Sequence, residues 1–326
     1  GSIDGDLYVY TNTAGVVHAL NVADGKTLWT YTTGNKIFSA PFITPRLVII
    51  SSCDGFIYAL DRKQGTVCWK YNTDYPIVAC PLVSEETVYI GSSNGKFYSL
   101  KLADGTLNWT CDGLHGYIES RPAIDKERVY IGTWGAMFYA IDRKSGKRVW
   151  EFDTKRGRYF SPGACWPVVL PYTQQGKKNE QVIVLSSDYF VRSFHPETGE
   201  ILWASDKAKG RESLGFSPDG KTMYVKGIKN TITAVDISQG TYNNLWNTLM
   251  PYEGNFIPTR MEATGQLVFV PTEFGVLHAI RTDGSGIAWS HKISHSAITS
   301  LKSAGKGKLI VMTMDGTVTC LEYPVN

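Results

Sequence analysis

A tryptophan recurs along this chain at nearly regular spacing, and this repeat constrains the fold more than any other feature. The seven residues lie 40, 40, 41, 53, 43 and 43 positions apart: Trp29, Trp69, Trp109, Trp150, Trp203, Trp246 and Trp289. Glycine-containing turns and short apolar stretches separate them. A repeat of about 40 residues is the length of one β-propeller blade, in which four short antiparallel strands follow one another.

Each repeat divides into four predicted strands, lettered A to D from the propeller axis outward. Strand A is rich in small residues, as in residues 38–43, and small side chains suit the crowded axis. Strand B is an apolar run, as in residues 47–52, which indicates burial. A turn ending in Gly55 leads to strand C, and a turn ending in Gly65 leads to the Trp-bearing strand D, because glycine accepts the positive φ of such turns.

Counting these strands predicts an all-β, closed β-propeller. The chain begins with a B strand (residues 7–11) and ends with a C strand (residues 317–323), which gives eight B–C hairpins but seven A and seven D strands. Eight blades with two incomplete terminal blades is the arrangement that we expect, within one domain spanning residues 1–326. Seven blades is the alternative, if one terminal hairpin packs elsewhere.

Composition excludes several classes of function. A formal net charge of +3 and the lack of a recognition motif argue against nucleic acid as a partner. No apolar run is long enough to span a membrane. The six cysteines are scattered, without a CxxC motif, which argues against a disulfide framework, a zinc ribbon and haem attachment. His291 and His295 have metal-like spacing but fall at a strand end, so no metal site is expected.

The repeat resembles that of the quinoprotein-like (PQQ-like repeat) β-propeller family, which includes BamB-like scaffolds and quinoprotein dehydrogenases. The resemblance rests on the Ala-Leu-Asn, Gly-Lys and Leu-Trp pattern of residues 19–29 and on its copies, such as residues 59–69 and 140–150. It implies that the repeated tryptophans pack between blades and that the protein is bacterial and extracytoplasmic, in the periplasm or at the cell surface. The family's dehydrogenases carry adjacent cysteines against PQQ, and this chain has none, so no cofactor is expected.

Strand alternation places the D–A and B–C loops on one rim of the central channel, the usual ligand-binding position in propellers. We interpret this rim as a candidate ligand-binding site. Aromatic and charged residues recur there: Lys36, Tyr75, His115, Tyr117, Glu119, Arg156, Arg158, Tyr159, Lys209, Arg211, Tyr252, Glu253 and His295. No residue is assigned a catalytic role.

Three functions are compatible with this rim. The first is a non-catalytic scaffold or accessory domain that binds a protein or carbohydrate; Arg156, Arg158, Lys209 and Arg211 would favour an anionic partner. The alternative is a carbohydrate-active lyase or hydrolase, whose candidate residues are His115, Tyr117, Glu119, Arg158, Tyr159, Glu212 and Glu253. The third, less favoured, is a PQQ-dependent dehydrogenase.

Overall fold

A computed structural model describes residues 1–155, 163, 165–251, 259–305 and 307–324, except the side chain of Glu212. All regular elements in these ranges are β-strands, arranged in eight antiparallel sheets. The expectation of an all-β chain with eight blades is therefore confirmed. In the same ranges there is no helix that is long and apolar enough to cross a membrane.

Contacts divide the chain into two compact units, Gly1–Trp166 and Pro167–Asn326. The first unit contains four four-stranded sheets, blades 1 to 4, each in the order A-B-C-D. Its strands are β1 (Ser2–Asp4), β2 (Leu7–Thr11), β3 (Val16–Asn21), β4 (Thr27–Thr32), β5 (Phe42–Ile43), β6 (Leu47–Ser51), β7 (Phe56–Asp61), β8 (Val67–Asn72), β9 (Leu82–Ser84), β10 (Thr87–Gly91), β11 (Phe97–Lys101), β12 (Leu107–Cys111), β13 (Ala123–Ile124), β14 (Arg128–Gly132), β15 (Met137–Asp142) and β16 (Arg148–Asp153).

The second unit contains blades 5 to 8, of which the first three have four strands and the last has three among the described residues. Its strands are β17 (Val168–Gln174), β18 (Lys177–Leu185), β19 (Val191–Phe194), β20 (Ile201–Ser205), β21 (Gly210–Phe216), β22 (Thr222–Gly227), β23 (Thr231–Asp236), β24 (Asn243–Leu249), β25 (Glu262–Ala263), β26 (Leu267–Pro271), β27 (Val276–Arg281), β28 (Ile287–Lys292), β29 (Ile298–Gly305), β30 (Lys308–Thr313) and β31 (Val318–Glu322).

Blade 1 is complete, which corrects the expectation that both terminal blades lack a strand. β1 pairs with β2, with Ile3 opposite Tyr8, and so forms strand A of this blade. Gly5, at φ +61°, lies in the turn between them. The sequence did not reveal β1 because its three residues lack the small-residue run of the other A strands. Eight A strands are present, and blade 8 alone is short of a D strand in the part of the chain described.

The core of the first unit is made by strands B and C of adjacent blades. Val48, Ile49 and Ile50 of β6 are all fully buried. Ile49 belongs to a cluster that extends through blades 3 and 4 and includes Val88 and Tyr139. Because both faces of a B strand are covered by neighbouring sheets, these strands are continuous apolar runs rather than alternating ones.

Four of the repeated tryptophans bond one blade to the next. The indole N–H donates to a backbone carbonyl of the following blade at 2.9 Å: Arg62 for Trp29, Leu102 for Trp69, Arg143 for Trp109 and Thr282 for Trp246. The turn glycine beside the acceptor lies under the ring; a Cβ on Gly65 would come within 2.5 Å of the Trp29 indole. These contacts lie between blades, and they satisfy the buried indole N–H, which needs a partner.

Opposite each tryptophan stands a small residue, and the strand register shifts immediately after it. Ala59 pairs with Trp69 in blade 2, and Ala140 pairs with Trp150 in blade 4. A β-bulge increases the local twist of a strand. The bulge beside a small residue leaves room for the indole to turn toward the next blade.

The insertion before Trp203 gives blade 5 a different arrangement. Its A and B strands extend into a long hairpin in which Tyr172 pairs with Asn179. The turn glycine of blade 6, Gly240, packs against the Tyr172 ring, whereas the equivalent Gly65 packs against a repeated tryptophan. A Cβ on Gly240 would be 2.5 Å from the Tyr172 ring. The Trp203 indole instead donates to Gln181 Oε1 at 3.2 Å, and Gln181 Nε2 donates to the carbonyl of Ile237 at 2.9 Å. A buried glutamine thus replaces the direct bond between blades.

Candidate functional site

A repeated backbone hydrogen bond fixes the D–A loop of one blade to the B–C loop of the next. We call the side of each unit that carries these loops its loop face. In the first unit the amide of the B–C loop donates to the D–A loop carbonyl at three junctions: Cys53 to Lys36 at 2.9 Å, Ser93 to Pro76 at 3.1 Å, and Trp134 to Tyr117 at 3.0 Å. Side chains on these loops therefore project from a fixed backbone.

The rim residues predicted in the first unit lie on these loops. The side chains of Lys36, Tyr75, His115 and Tyr117 are exposed, and that of Glu119 is half-buried. Tyr75 is 53% exposed and Tyr117 42% exposed, so a substantial part of each ring is available to a partner. Of these five residues, Tyr117 and Glu119 are brought together.

The rim residues predicted in the second unit are Lys209, Arg211 and His295. Lys209 forms an ion pair with Asp206, which offsets its charge. Arg211 is half-buried at the start of β21, and His295 is exposed in the loop after β28. The other rim candidates, Arg156, Arg158, Tyr159, Tyr252 and Glu253, lie outside the described residues, as does the side chain of Glu212.

Tyr117, Glu119 and Trp134 form the most developed side-chain cluster on the loop face of the first unit. The Tyr117 and Trp134 rings stack with centroids 5.7 Å apart and planes 18° apart. The Trp134 indole N–H donates to Glu119 Oε2 at 2.6 Å. Trp134 is thus held from two sides, by a ring and by a carboxylate.

The backbone around this cluster is closely packed. A Cβ on Gly116 would lie 2.2 Å from the amide nitrogen of Gly135, and a Cβ on Gly135 would lie 2.1 Å from the carbonyl oxygen of His115. Glycine is required at both positions because the two loops approach each other through their backbones. The cluster is therefore preorganised rather than assembled by flexible loops.

Burial dominates the electrostatics of the cluster. It raises the pKa of Glu119 above its ordinary value, and the indole N–H of Trp134 partly opposes this by stabilising the carboxylate. Burial also raises the pKa of Tyr117, and the negative charge of Glu119 raises it further. The Glu119 charge therefore favours the neutral form of Tyr117.

His115 contributes to the cluster through its backbone. Its amide donates to the Tyr139 hydroxyl at 3.1 Å, and its carbonyl accepts a hydrogen bond from Thr133 Oγ1. Its imidazole is exposed to solvent. The described hydrogen bonds thus give His115 a structural role, and its assignment to acid–base chemistry stays a prediction.

Arg121 is a second feature of this face, and sequence reasoning missed it. Its guanidinium lies 4.8 Å from the Phe42 ring centroid and 5.8 Å from that of Trp166. In the repeat, Arg121 occupies the small-residue position held by Ala40 and Cys80. The arginine itself was a signal in the sequence, because a large charged residue at a position usually held by a small one needs aromatic or polar partners.

The described part of the chain contains no set of side chains that could bind a metal ion. No three His, Cys, Asp or Glu side chains come together there. The six thiols are unbridged, and Cys68 and Cys320 are exposed. His291 and His295 are both exposed, on β28 and in the loop that follows.

The sequence pattern of a known family matches this chain almost from end to end. The pattern of the family described as outer membrane protein assembly factor BamB matches residues 1–111, 112–255 and 187–323. The chain belongs to the BamB family. No curated protein sequence matches it.

Solved structures share the fold of this BamB-family chain at low sequence identity. BamB from Moraxella catarrhalis is 18% identical with a TM-score of 0.80, and the match covers 99% of this chain and 95% of that one. The computationally designed protein Ika8 is 14% identical with a TM-score of 0.80 and the same coverage. Quinohemoprotein alcohol dehydrogenase from Comamonas testosteroni is 14% identical with a TM-score of 0.78, covering 95% of this chain and 69% of that one. These similarities establish the eight sheets as the blades of a β-propeller.

The dehydrogenase relatives raise the question of PQQ, and the residues of this BamB-family chain do not fit that group. No two cysteines are consecutive, so the pair expected against the cofactor is missing from the sequence. The described residues also lack a carboxylate cluster of the kind that Ca²⁺ requires.

Proposed function

We propose that this chain is a non-catalytic scaffold of the bacterial cell envelope, and that a protein partner docks on the loop face of its first unit. The observation that carries the proposal is a set of exposed aromatic side chains on or beside rigid loops. Phe38, Tyr75 and Tyr117 are 58%, 53% and 42% exposed. Aromatic residues held in place by a fixed backbone are typical of the centres of protein interfaces.

The hydrogen bonding of Glu119 also favours binding over catalysis. The described hydrogen bond of Glu119 comes from an indole N–H, which cannot transfer a proton at ordinary pH. A general acid or base must instead be within reach of a reacting group. The geometry of Glu119 serves to hold Trp134 in position.

Family membership supports both the kind of partner and the location. The family is described as an outer membrane protein assembly factor, a description that implies a protein partner and an envelope location for its members. We extend both to this chain as part of the proposal.

Site-specific photo-crosslinking tests the proposal. A photoreactive phenylalanine analogue replaces Tyr75 or, as a matched control, Leu107, which lies on strand β12 and is 40% exposed. We expect one discrete adduct with an envelope protein from position 75, no adduct from position 107, and at least fivefold less adduct when Phe38→Ser and Tyr117→Ser are added. Equal yields from both positions, or a yield that is insensitive to the two serine substitutions, would contradict the proposal.

A further inference from the structure

Glu119 is a half-buried carboxylate that forms no ion pair with any described residue. Its oxygens make no ion pair within 4.0 Å among the described residues, and the hydrogen bond from Trp134 is its described polar contact. Burial raises its pKa, which reflects the free-energy cost of keeping this charge without a counter-charge. Oε1 is the oxygen left to accept another hydrogen bond.

The same repeat position in the two preceding blades is apolar. Phe38 and Val78 follow the buried residues Ile37 and Ile77, as Glu119 follows Ile118. A carboxylate at this point is therefore not a requirement of the blade. It is a property of the junction between blades 3 and 4.

Of the two stacked rings, Tyr117 is the one that offers an exposed face. The indole of Trp134 stacks on Tyr117 and is also approached by Gly163, where a Cβ would lie 2.8 Å from the ring. Tyr117 has one ring face against the indole, yet 42% of the residue is exposed. The exposed area therefore belongs to the outward face and edge of the phenol ring.

From this arrangement we infer that Tyr117 and Glu119 form a binding site for a guanidinium group, supplied by an arginine side chain of the docking protein. A planar guanidinium can stack on the outward Tyr117 face while one of its N–H groups donates to Glu119 Oε1. The site rests on the proposed function for its partner, but its chemistry is defined by these two side chains alone. It requires a cationic group, whereas the basic residues Arg156, Arg158, Lys209 and Arg211 of the sequence favour an anionic partner.

Arginine is favoured over lysine for this site by the shape of the cluster. The Tyr117 ring offers a flat surface and Glu119 an oxygen without a described partner, and a planar guanidinium can contact both with less loss of side-chain freedom per bond. An ammonium group is compact and strongly hydrated, so it would gain less from the ring face. The rigid glycine-to-glycine contact below the cluster keeps the two groups in place before the ligand arrives.

Nuclear magnetic resonance of the tryptophan indoles tests the site directly. The Trp134 indole signal is assigned with Trp134→Phe, and the protein is titrated with N-acetyl-arginine amide or with the uncharged N-acetyl-citrulline amide. We expect a saturable shift of the Trp134 signal with the arginine compound and at least tenfold weaker binding of the citrulline compound. Glu119→Gln keeps an oxygen for the indole N–H and should weaken arginine binding at least tenfold; Tyr117→Leu should weaken it several-fold.

Glu86→Gln is the matched control, because Glu86 is an exposed carboxylate in the turn between β9 and β10. It should leave the titration unchanged, and all variants should keep the wild-type melting temperature. Repeating the titration with Arg156→Ala and Arg158→Ala removes two arginines of the chain itself that could compete for the site. Equal binding of both compounds, unchanged binding in Glu119→Gln, or no shift in either background would overturn the inference.

The outcomes also separate this inference from the proposed function. Crosslinking at position 75 together with a failed titration would leave the scaffold standing and remove the guanidinium site. A successful titration without crosslinking would keep the site and remove the docking partner.

Discussion

The two units build their blades from the same repeat, but the junction between blades 5 and 6 in the second unit is built differently from those of the first. In the first unit, Trp29, Trp69 and Trp109 each bond directly to a carbonyl of the next blade. In the second unit, Trp246 keeps this direct bond, whereas the indole N–H of Trp203 is linked to a carbonyl of the next blade through the side chain of Gln181. The comparison shows that the indole N–H needs a hydrogen-bond acceptor at the junction between blades. The acceptor can be a backbone carbonyl or a side-chain amide.

The largest effect that would separate the two arrangements is the removal of an indole. Trp69 is 8% exposed, whereas Trp203 is half-buried. We expect Trp69→Ala to lower the free energy of unfolding by about 3–5 kcal/mol, because it leaves a cavity between blades. Trp203→Ala should cost less, since less of that ring leaves water on folding. Urea unfolding measures both; an unchanged stability of Trp69→Ala would refute the role given to the repeated tryptophan.

A smaller effect should come from breaking the glutamine relay. Gln181 is fully buried and also accepts a hydrogen bond from Ser193 Oγ at 2.9 Å. Gln181→Leu should cost about 1–3 kcal/mol, because it leaves the Trp203 N–H and the Ile237 carbonyl without their partner. Gln174→Leu, at an exposed position on β17, should change stability by less than about 0.5 kcal/mol. Equal stabilities of the two leucine variants would mean that the relay does not hold blades 5 and 6 together.

The smallest effect is a pH dependence that distinguishes His278 in the second unit from His18 in the first. Burial lowers the pKa of both histidines. The folded state thus favours the neutral form, so the stability that each contributes is present above the unfolded pKa of about 6.5 and is lost as the pH falls through the lower folded value. His278 is buried and bonded to Ser290 Oγ at 2.7 Å, whereas His18 is half-buried against Tyr10.

Tyrosine variants measure this difference, since Tyr58 and Tyr98 occupy the same repeat position. We expect His278→Tyr to reduce the loss of stability between pH 7 and pH 5 more than His18→Tyr does. Melting temperatures across that range provide the measurement. A larger change for His18→Tyr would reverse the order of the two environments.

The sequence was most informative where one residue type performs one repeated task. The tryptophans and turn glycines predicted the blades because each blade needs an indole and a positive φ at fixed positions. β1 escaped prediction because a three-residue strand carries almost no pattern, and its pairing depends on the neighbouring β2. The Gln181 relay was equally hidden, since a glutamine in an apolar strand gives no sign of which groups it will bridge.

The candidate site was predicted in part for a related reason. Loop position placed Tyr117 and Glu119 on one rim, because strand alternation determines which loops lie together. It could not show that the indole donates to the carboxylate or that Arg121 lies against Phe42. Those contacts depend on side-chain direction, which a repeat pattern does not encode.

The bonds from tryptophan to the next blade have a consequence for how the chain folds. They join residues only 33, 33, 34 and 36 positions apart in sequence. Contacts of short sequence separation close small loops and so favour rapid folding. Each blade can therefore be secured as soon as the next one has been synthesised, and the growing chain need not wait for its distant end before its hydrophobic strands are covered.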